Sequence, residues 1–221
     1  MQRWLYPFER RLLRRRRGRL AAALILAFVC LLLFDRALYH ALAVGPDRLP
    51  ALEGKDWYRT LRSAGTLLPW LFLAAGLTLQ GAAAAITTRA RATSIPGLLI
   101  LASAALAGAL AELLQVLTGR IRPNHTDGAC RFKGLLERFA NPDNLCFPSS
   151  HAAVAFGAAF MVLFLYPRAG WVAILLAAGC GLTRLLAGAH FASDVFAAAV
   201  LGYATASLLR PAQDRRGLLL P

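Results

Sequence analysis

Four polar clusters stand at the ends of apolar runs, and their residue types are those that handle phosphate. They are Gln115 with Arg120-Ile121-Arg122-Pro123, then Pro148-Ser149-Ser150-His151, then Thr183-Arg184, and last His190 with Asp194. Arginine forks match phosphate oxygens in bidentate geometry. A serine-bearing segment that opens a helix offers hydroxyls and free backbone amides to an anion. Proline suits a first helical turn, so a helix is expected to begin at the Pro148 cluster. His190 and Asp194, four residues apart at the start of an apolar run, are expected to share a helix face. A carboxylate so placed holds one imidazole nitrogen and leaves the other free to attack. His151 stands where it could give a proton to a leaving oxygen. Each cluster has a plain structural reading on its own: snorkelling arginines, an N-cap serine, a His–Asp pair that only caps a helix. Together they point to one phosphate-processing site.

The elements that must bring the clusters together are membrane helices. Of the 221 residues, 58% are hydrophobic, and several apolar runs approach the ~20 residues that cross a bilayer as a helix. Six spans can be drawn, at 20–38, 67–87, 98–117, 151–166, 170–186 and 191–209. Alternation through six spans puts all four clusters on one side of the membrane. The expected fold is all-α: a polytopic six-helix bundle over 20–209, preceded by a basic amphipathic segment at 1–19 and followed by a short tail at 210–221. Small residues such as those of Ala102–Ala109 allow close helix packing.

The formal net charge of +14 invites a nucleic-acid reading. The basic residues flank membrane spans instead, so no nucleic acid is expected as a partner. Arg14–Arg17 and Arg19, interleaved with Trp4, Tyr6, Phe8 and Leu12, suit an interfacial helix on anionic lipid. Those arginines, Arg89, Arg91, Arg168, Arg210, Arg215 and Arg216 fall on one side of the spans. That side is expected to be the cytoplasm, with both termini there and the clusters facing the periplasm or exterior. A bacterial inner membrane is the expected location. The start loosely resembles a secretory signal, with Ala41-Leu42-Ala43 after the apolar run, but its long basic segment favours a retained span. Two loops, 35–66 and 118–150, lie on the cluster side, and the second is long enough to suggest a lid or entry role. Cys130 and Cys146 bracket that loop and would be candidates for a disulfide in an oxidising compartment. Glu112, one turn before Gln115, has two readings: a pairing with Arg184 or Arg120, or, preferred, an interhelical hydrogen bond with no catalytic role.

The clusters resemble the three-part signature of the type-2 phosphatidic acid phosphatase superfamily. Lys-x6-Arg-Pro is matched by Gln115 with Arg122-Pro123. Pro-Ser-Gly-His is matched by Pro148-Ser149-Ser150-His151, and Ser-Arg-x5-His-x3-Asp by Thr183-Arg184, His190 and Asp194. The resemblance implies a membrane lipid phosphatase in which His190 forms a phosphohistidine, Asp194 orients it, and His151 protonates the leaving oxygen and then activates water. It further implies that Arg122, Arg184, Ser149 and the backbone near Ser150 hold the phosphoryl oxygens. It implies no metal and no cofactor; the partners would be a phosphorylated lipid and the bilayer. Gln115 stands where the signature has lysine, and Arg120 is expected to compensate by turning inward. Ser150 replaces glycine and requires negative φ. Alternatives within reach of the same residues are a lipid phosphotransferase, a catalytically impaired lipid-binding protein, and a metal hydrolase using His125, His151, His190 and Asp194.

Overall fold

A computed structural model describes residues 7–88 and 95–214, with backbone alone at 7–17, 85–88 and 211–214. The described chain is helical: α1 Pro7–Leu42, α2 Leu49–Glu53, α3 Asp56–Ser63, α4 Leu67–Thr88, α5 Ile95–Thr118, α6 Leu135–Ala140, α7 Ser150–Leu165, α8 Pro167–Leu186 and α9 Ala192–Asp214. Among the described residues, five of these helices are long and apolar enough to cross a membrane, and α7 is a shorter apolar helix. Large side chains such as Leu33, Phe72, Leu79, Trp171 and Leu175 stand exposed on them. In water such a surface would aggregate, whereas in lipid it is the solvated face. The chain is an integral membrane protein.

The centre of the bundle is α7, packed against α5, α8 and α9. Its Ala152, Ala153, Ala155, Ala158 and Ala159 are all fully buried, because small side chains let the neighbouring backbones approach. The α7–α9 crossing is one such close approach. A Cβ on Gly202 would lie 2.6 Å from the Gly157 nitrogen and 2.8 Å from the Phe156 carbonyl carbon, so only glycine fits there. Ser103 on α5 donates to the Gly157 carbonyl at 2.7 Å, tying α5 to the same point.

Several expectations are revised. The helix of the first span runs unbroken from Pro7 to Leu42, longer than 20–38, so Asp35 lies in helix rather than in a loop. Arg14–Arg17 have no described side chains, and the interfacial reading of 1–19 lies outside the described residues, as do Arg89, Arg91, Arg215 and Arg216. The region 35–66 contains two short helices, α2 and α3. Loop 118–150 is organised around its first residues. Gly119 and Ile121 pair with 131–133 on one side, while Arg120 and Arg122 pair with 144–146 on the other. This miniature sheet fixes the backbone of both arginines. Cys130 and Cys146 remain thiols, and the buried Cys146 thiol donates to the Ile121 carbonyl at 3.3 Å.

Candidate active site

One end of the bundle gathers the four clusters. The exit of α5 meets the entry of α7 through the Gln115 amide, which donates to the Pro148 carbonyl at 2.8 Å. The entry of α7 meets that of α9 through the Ser149 amide and the Asp194 carbonyl at 3.3 Å. The α8–α9 connection turns at Gly188, whose φ of +63° is the left-handed conformation glycine adopts without strain. The Arg184 carbonyl accepts from Ala189 at 3.1 Å, so the end of α8 folds back beside His190.

The α7 entry differs in detail from the expected proline-first helix. Pro148 follows a cis peptide bond and lies before the helix, whose N-cap is Ser149. The Ser149 oxygen accepts from the Ala152 amide at 3.4 Å, leaving its own hydroxyl proton free. The first amides of α7, at Ser150 and His151, have no intrahelical partner by construction and point out of the helix start. Ser150 is in helical conformation, so its side chain is accommodated where the signature has glycine.

His190 precedes α9 rather than sitting on it, and is 3% exposed. Its Nδ1 lies 2.9 Å from the Cys146 carbonyl oxygen. A carbonyl can only accept, so Nδ1 carries the proton and Nε2 keeps its lone pair. Asp194 was expected to hold the ring directly, but its Oδ2 is 3.8 Å from Nδ1 and accepts instead from the Phe191 amide at 2.8 Å. Asp194 therefore bears on the ring electrostatically and locks the turn that carries it. Burial pushes the His190 imidazole below its ordinary value, against the opposing pull of Asp194 and the Cys146 carbonyl.

Arg120 does not compensate for Gln115. Its guanidinium donates to Asp194 at 2.6 Å and Asp35 at 2.9 Å, donates to the Ser193 hydroxyl at 2.8 Å, and lies 4.0 Å over the Phe191 ring. Burial disfavours its charge, but the two carboxylates hold it well above the ordinary arginine value. Asp35 also accepts from the Ser193 amide and hydroxyl. The result is a buried Asp35–Arg120–Asp194 triad that ties α1, loop 118–150 and α9 together beneath His190. Sequence reasoning missed Asp35: a lone acid in an apolar run carries no sign of a partner far along the chain.

Arg184 is the opposite case. It is 6% exposed, its Nε has no partner, and no carboxylate pairs with it among the described residues. The charged groups that bear on it include two further guanidiniums, Arg62 and Arg122. The same three arginines and His190 bear on His151. Arg122 donates from Nε to the Leu145 carbonyl at 3.2 Å, which leaves its terminal nitrogens free. Arg62, from α3, was not expected. The α3 helix is brought here by Tyr58, which is fully buried and donates to the Thr183 carbonyl at 3.2 Å.

Beside His151 is a cavity of about 370 Å³, lined by Gly65, Thr66, Gly108, Glu112, Ser150 and Val154 among others. Glu112 faces this space and, among the described residues, pairs with neither Arg184 nor Arg120, so the ion-pair reading of it does not hold. His125 is exposed on a short 3-10 turn. Among the described residues no three of His, Cys, Asp and Glu converge to hold a metal ion.

The chain is similar to known membrane proteins in sequence and in fold. The chain is 38% identical over 114 residues to a lipid A 1-phosphatase of Rhizobium etli, covering 50% of this chain and 47% of that one. It is 31% identical over 99 residues to the bacitracin transport permease protein BcrC of Bacillus licheniformis, covering 44% and 47%. The chain thus spans about half the length of these curated relatives. Its fold is similar to that of a PAP2-type phosphatidylglycerolphosphate phosphatase from Bacillus subtilis, with a TM-score of 0.56 at 20% identity over 88% of this chain and 96% of that one. Residues 96–218 match the PAP2 superfamily, a stretch that begins at the start of α5 and takes in every one of the four clusters. With more than half of its length in that match, this chain belongs to the PAP2 superfamily.

Proposed function

We propose that this chain is an integral membrane phosphatase that hydrolyses a phosphomonoester or diphosphate of a membrane lipid through a phosphohistidine. The observation that carries the reading is Arg184: a guanidinium 6% exposed, without a carboxylate partner among the described residues, and within range of two more guanidiniums. A charge at that depth is costly unless something compensates it. The missing partner is an anion, and one that suits several guanidiniums and a helix N-terminus at once is a phosphoryl group.

In this reading the lone pair on Nε2 of His190 attacks phosphorus, since the Cys146 carbonyl fixes the proton on Nδ1. The bond to the lipid oxygen breaks as His151 protonates it. Asp194, 3.8 Å away, stabilises the positive charge that builds on the imidazole. His151 then takes a proton from water, which attacks the phosphohistidine and releases phosphate and free His190. Arg122, Arg184, the Ser149 hydroxyl and the first amides of α7 hold the equatorial oxygens, acting as fixed dipoles and charges that need little reorganisation. Gln115 acts at one remove, holding the Pro148 carbonyl and so the α7 entry; Arg120 acts through Asp194. The cavity beside His151 takes the lipid side of the scissile bond.

The names of the relatives, lipid A 1-phosphatase and phosphatidylglycerolphosphate phosphatase, support a phosphorylated lipid as substrate. The membrane domain spans 20–209, with the basic start and the tail in the cytoplasm and the site at the outer face of a bacterial inner membrane. Arg168 and Arg210, at the opposite end of the bundle from the site, support that orientation. The test is phosphate release by purified protein from a panel of lipids: phosphatidic acid, phosphatidylglycerol phosphate, a polyprenyl diphosphate and lipid A. His190→Ala should remain inserted and release nothing. Release from that variant at the wild-type rate would reject the reading, and labelled phosphate recovered in another lipid would reassign the protein as a phosphotransferase.

A further inference from the structure

We infer that Arg62 on α3 is a phosphate-binding side chain of this site and supplies the positive charge that Gln115 does not. The inference rests on the phosphatase reading and adds a residue outside the matched signature. The two polar side chains at the exit of α5 nearest to that role are both occupied. Gln115 braces Pro148, and Arg120 is held between Asp35 and Asp194.

The geometry places Arg62 at the rim of the same cluster. Tyr58 and Arg62 are one helical turn apart on α3 and share a face, and Tyr58 pins that face to the Thr183 carbonyl, next to Arg184. The Cys180 thiol meets the Arg62 carbonyl at 3.9 Å. The turn after α3 is pressed onto the α7 entry: a Cβ on Gly65 would lie 2.8 Å from both the His151 Cβ and the Cys180 sulfur. The end of α3 is therefore wedged between His151 and α8, with no room to carry Arg62 away from the site. Among the described residues its one carboxylate partner is Glu53, at 2.9 Å, with the two side chains 42% and 43% exposed. Such a pair is screened by solvent and weak, so an incoming phosphoryl oxygen competes for the guanidinium.

The test uses the full chain and the lipid turned over fastest in the panel. Arg62→Gln, which keeps most of the stem, should lower kcat/KM ten-fold or more. Arg62→Lys should recover most of that loss, and Gln115→Lys placed in the Arg62→Gln background should recover part of it. A change under two-fold for Arg62→Gln overturns the inference. A second measurement needs no change at Arg62: Glu53→Gln frees the guanidinium, so the inhibition constant of inorganic phosphate should fall two- to five-fold. A purely structural ion pair predicts no such gain, and an unchanged or raised constant overturns the assignment. His190→Ala separates the two claims: if it still releases phosphate the phosphohistidine reading fails, and if it is silent while Arg62→Gln and Glu53→Gln behave as wild type, Arg62 alone is rejected.

Discussion

His190 and Cys146 are joined through Nδ1 and a main-chain carbonyl, 2.9 Å apart, so the backbone of the long loop decides which imidazole nitrogen is free. The side chain of Cys146 takes no part. Its thiol is fully buried, and burial raises its pKa far above the ordinary range, which makes it a poor nucleophile. Cys146→Ala should therefore keep kcat within about three-fold, and thiol reagents should leave turnover unchanged. A ten-fold loss in kcat would show that the sulfur matters.

Asp35 and Asp194 share Arg120, but only Asp194 lies near the imidazole. Removing one partner of a buried ionic cluster costs about 3–5 kcal/mol, because the remaining charge is left uncompensated. Asp35→Asn and Asp194→Asn should both lower the melting temperature in detergent. Turnover per folded molecule should separate them: a ten-fold or greater fall in kcat for Asp194→Asn, with a smaller change in KM, and a lesser effect for Asp35→Asn. Equal kcat losses would give Asp194 a structural role only.

The pH profile carries a sign. In the proposed mechanism attack requires neutral His190, and burial lowers its pKa despite Asp194 and the Cys146 carbonyl. The neutral form then persists to more acidic pH than in a free histidine, titrating near ~6.5. The acid limb of kcat/KM that belongs to His190 should fall below that value, once the ionisation of the substrate phosphate is titrated separately. A limb above it would mean that the imidazole is stabilised in its charged form.

The glycine pair at the α7–α9 crossing should be intolerant of any side chain. A Cβ on Gly202 meets backbone atoms of α7 at 2.6–2.8 Å, and backbone cannot swing aside as a side-chain tip can. Gly202→Ala should cost about 1–3 kcal/mol by overpacking, visible as a lower melting temperature. Because α7 carries His151 and α9 follows His190, activity should fall with it. Unchanged stability would mean that the helices separate freely.

Much of the candidate site was legible in the sequence because its parts obey local spacing. Arg122, His151, Arg184 and His190 lie at span ends, and alternation alone puts them on one side; the hydrogen bonds from Gln115 to Pro148 and from Ser149 to Asp194 show those span ends meeting. What was not legible depends on which way a charge faces. Arg120 and Arg122 are two residues apart with the same chemistry, yet one is spent on carboxylates and the other keeps its terminal nitrogens free. Asp35 and Arg62 come from α1 and α3, which carry no motif, and lie at separations from the matched clusters that no periodicity spans. The His190–Asp194 spacing read as a shared helix face, whereas the helix begins only after Phe191, so the pair meets across a turn.

The Asp35 contact makes the site depend on a helix that lies upstream of the region matched to the superfamily, residues 96–218. A fragment expressed from Pro96 onward would hold every signature residue and still leave Arg120 with half of its counter-charge. Supplying α1 as a separate polypeptide should then complete the counter-charge of Arg120 through Asp35, while restoring Tyr58 and Arg62 would need α3 as well.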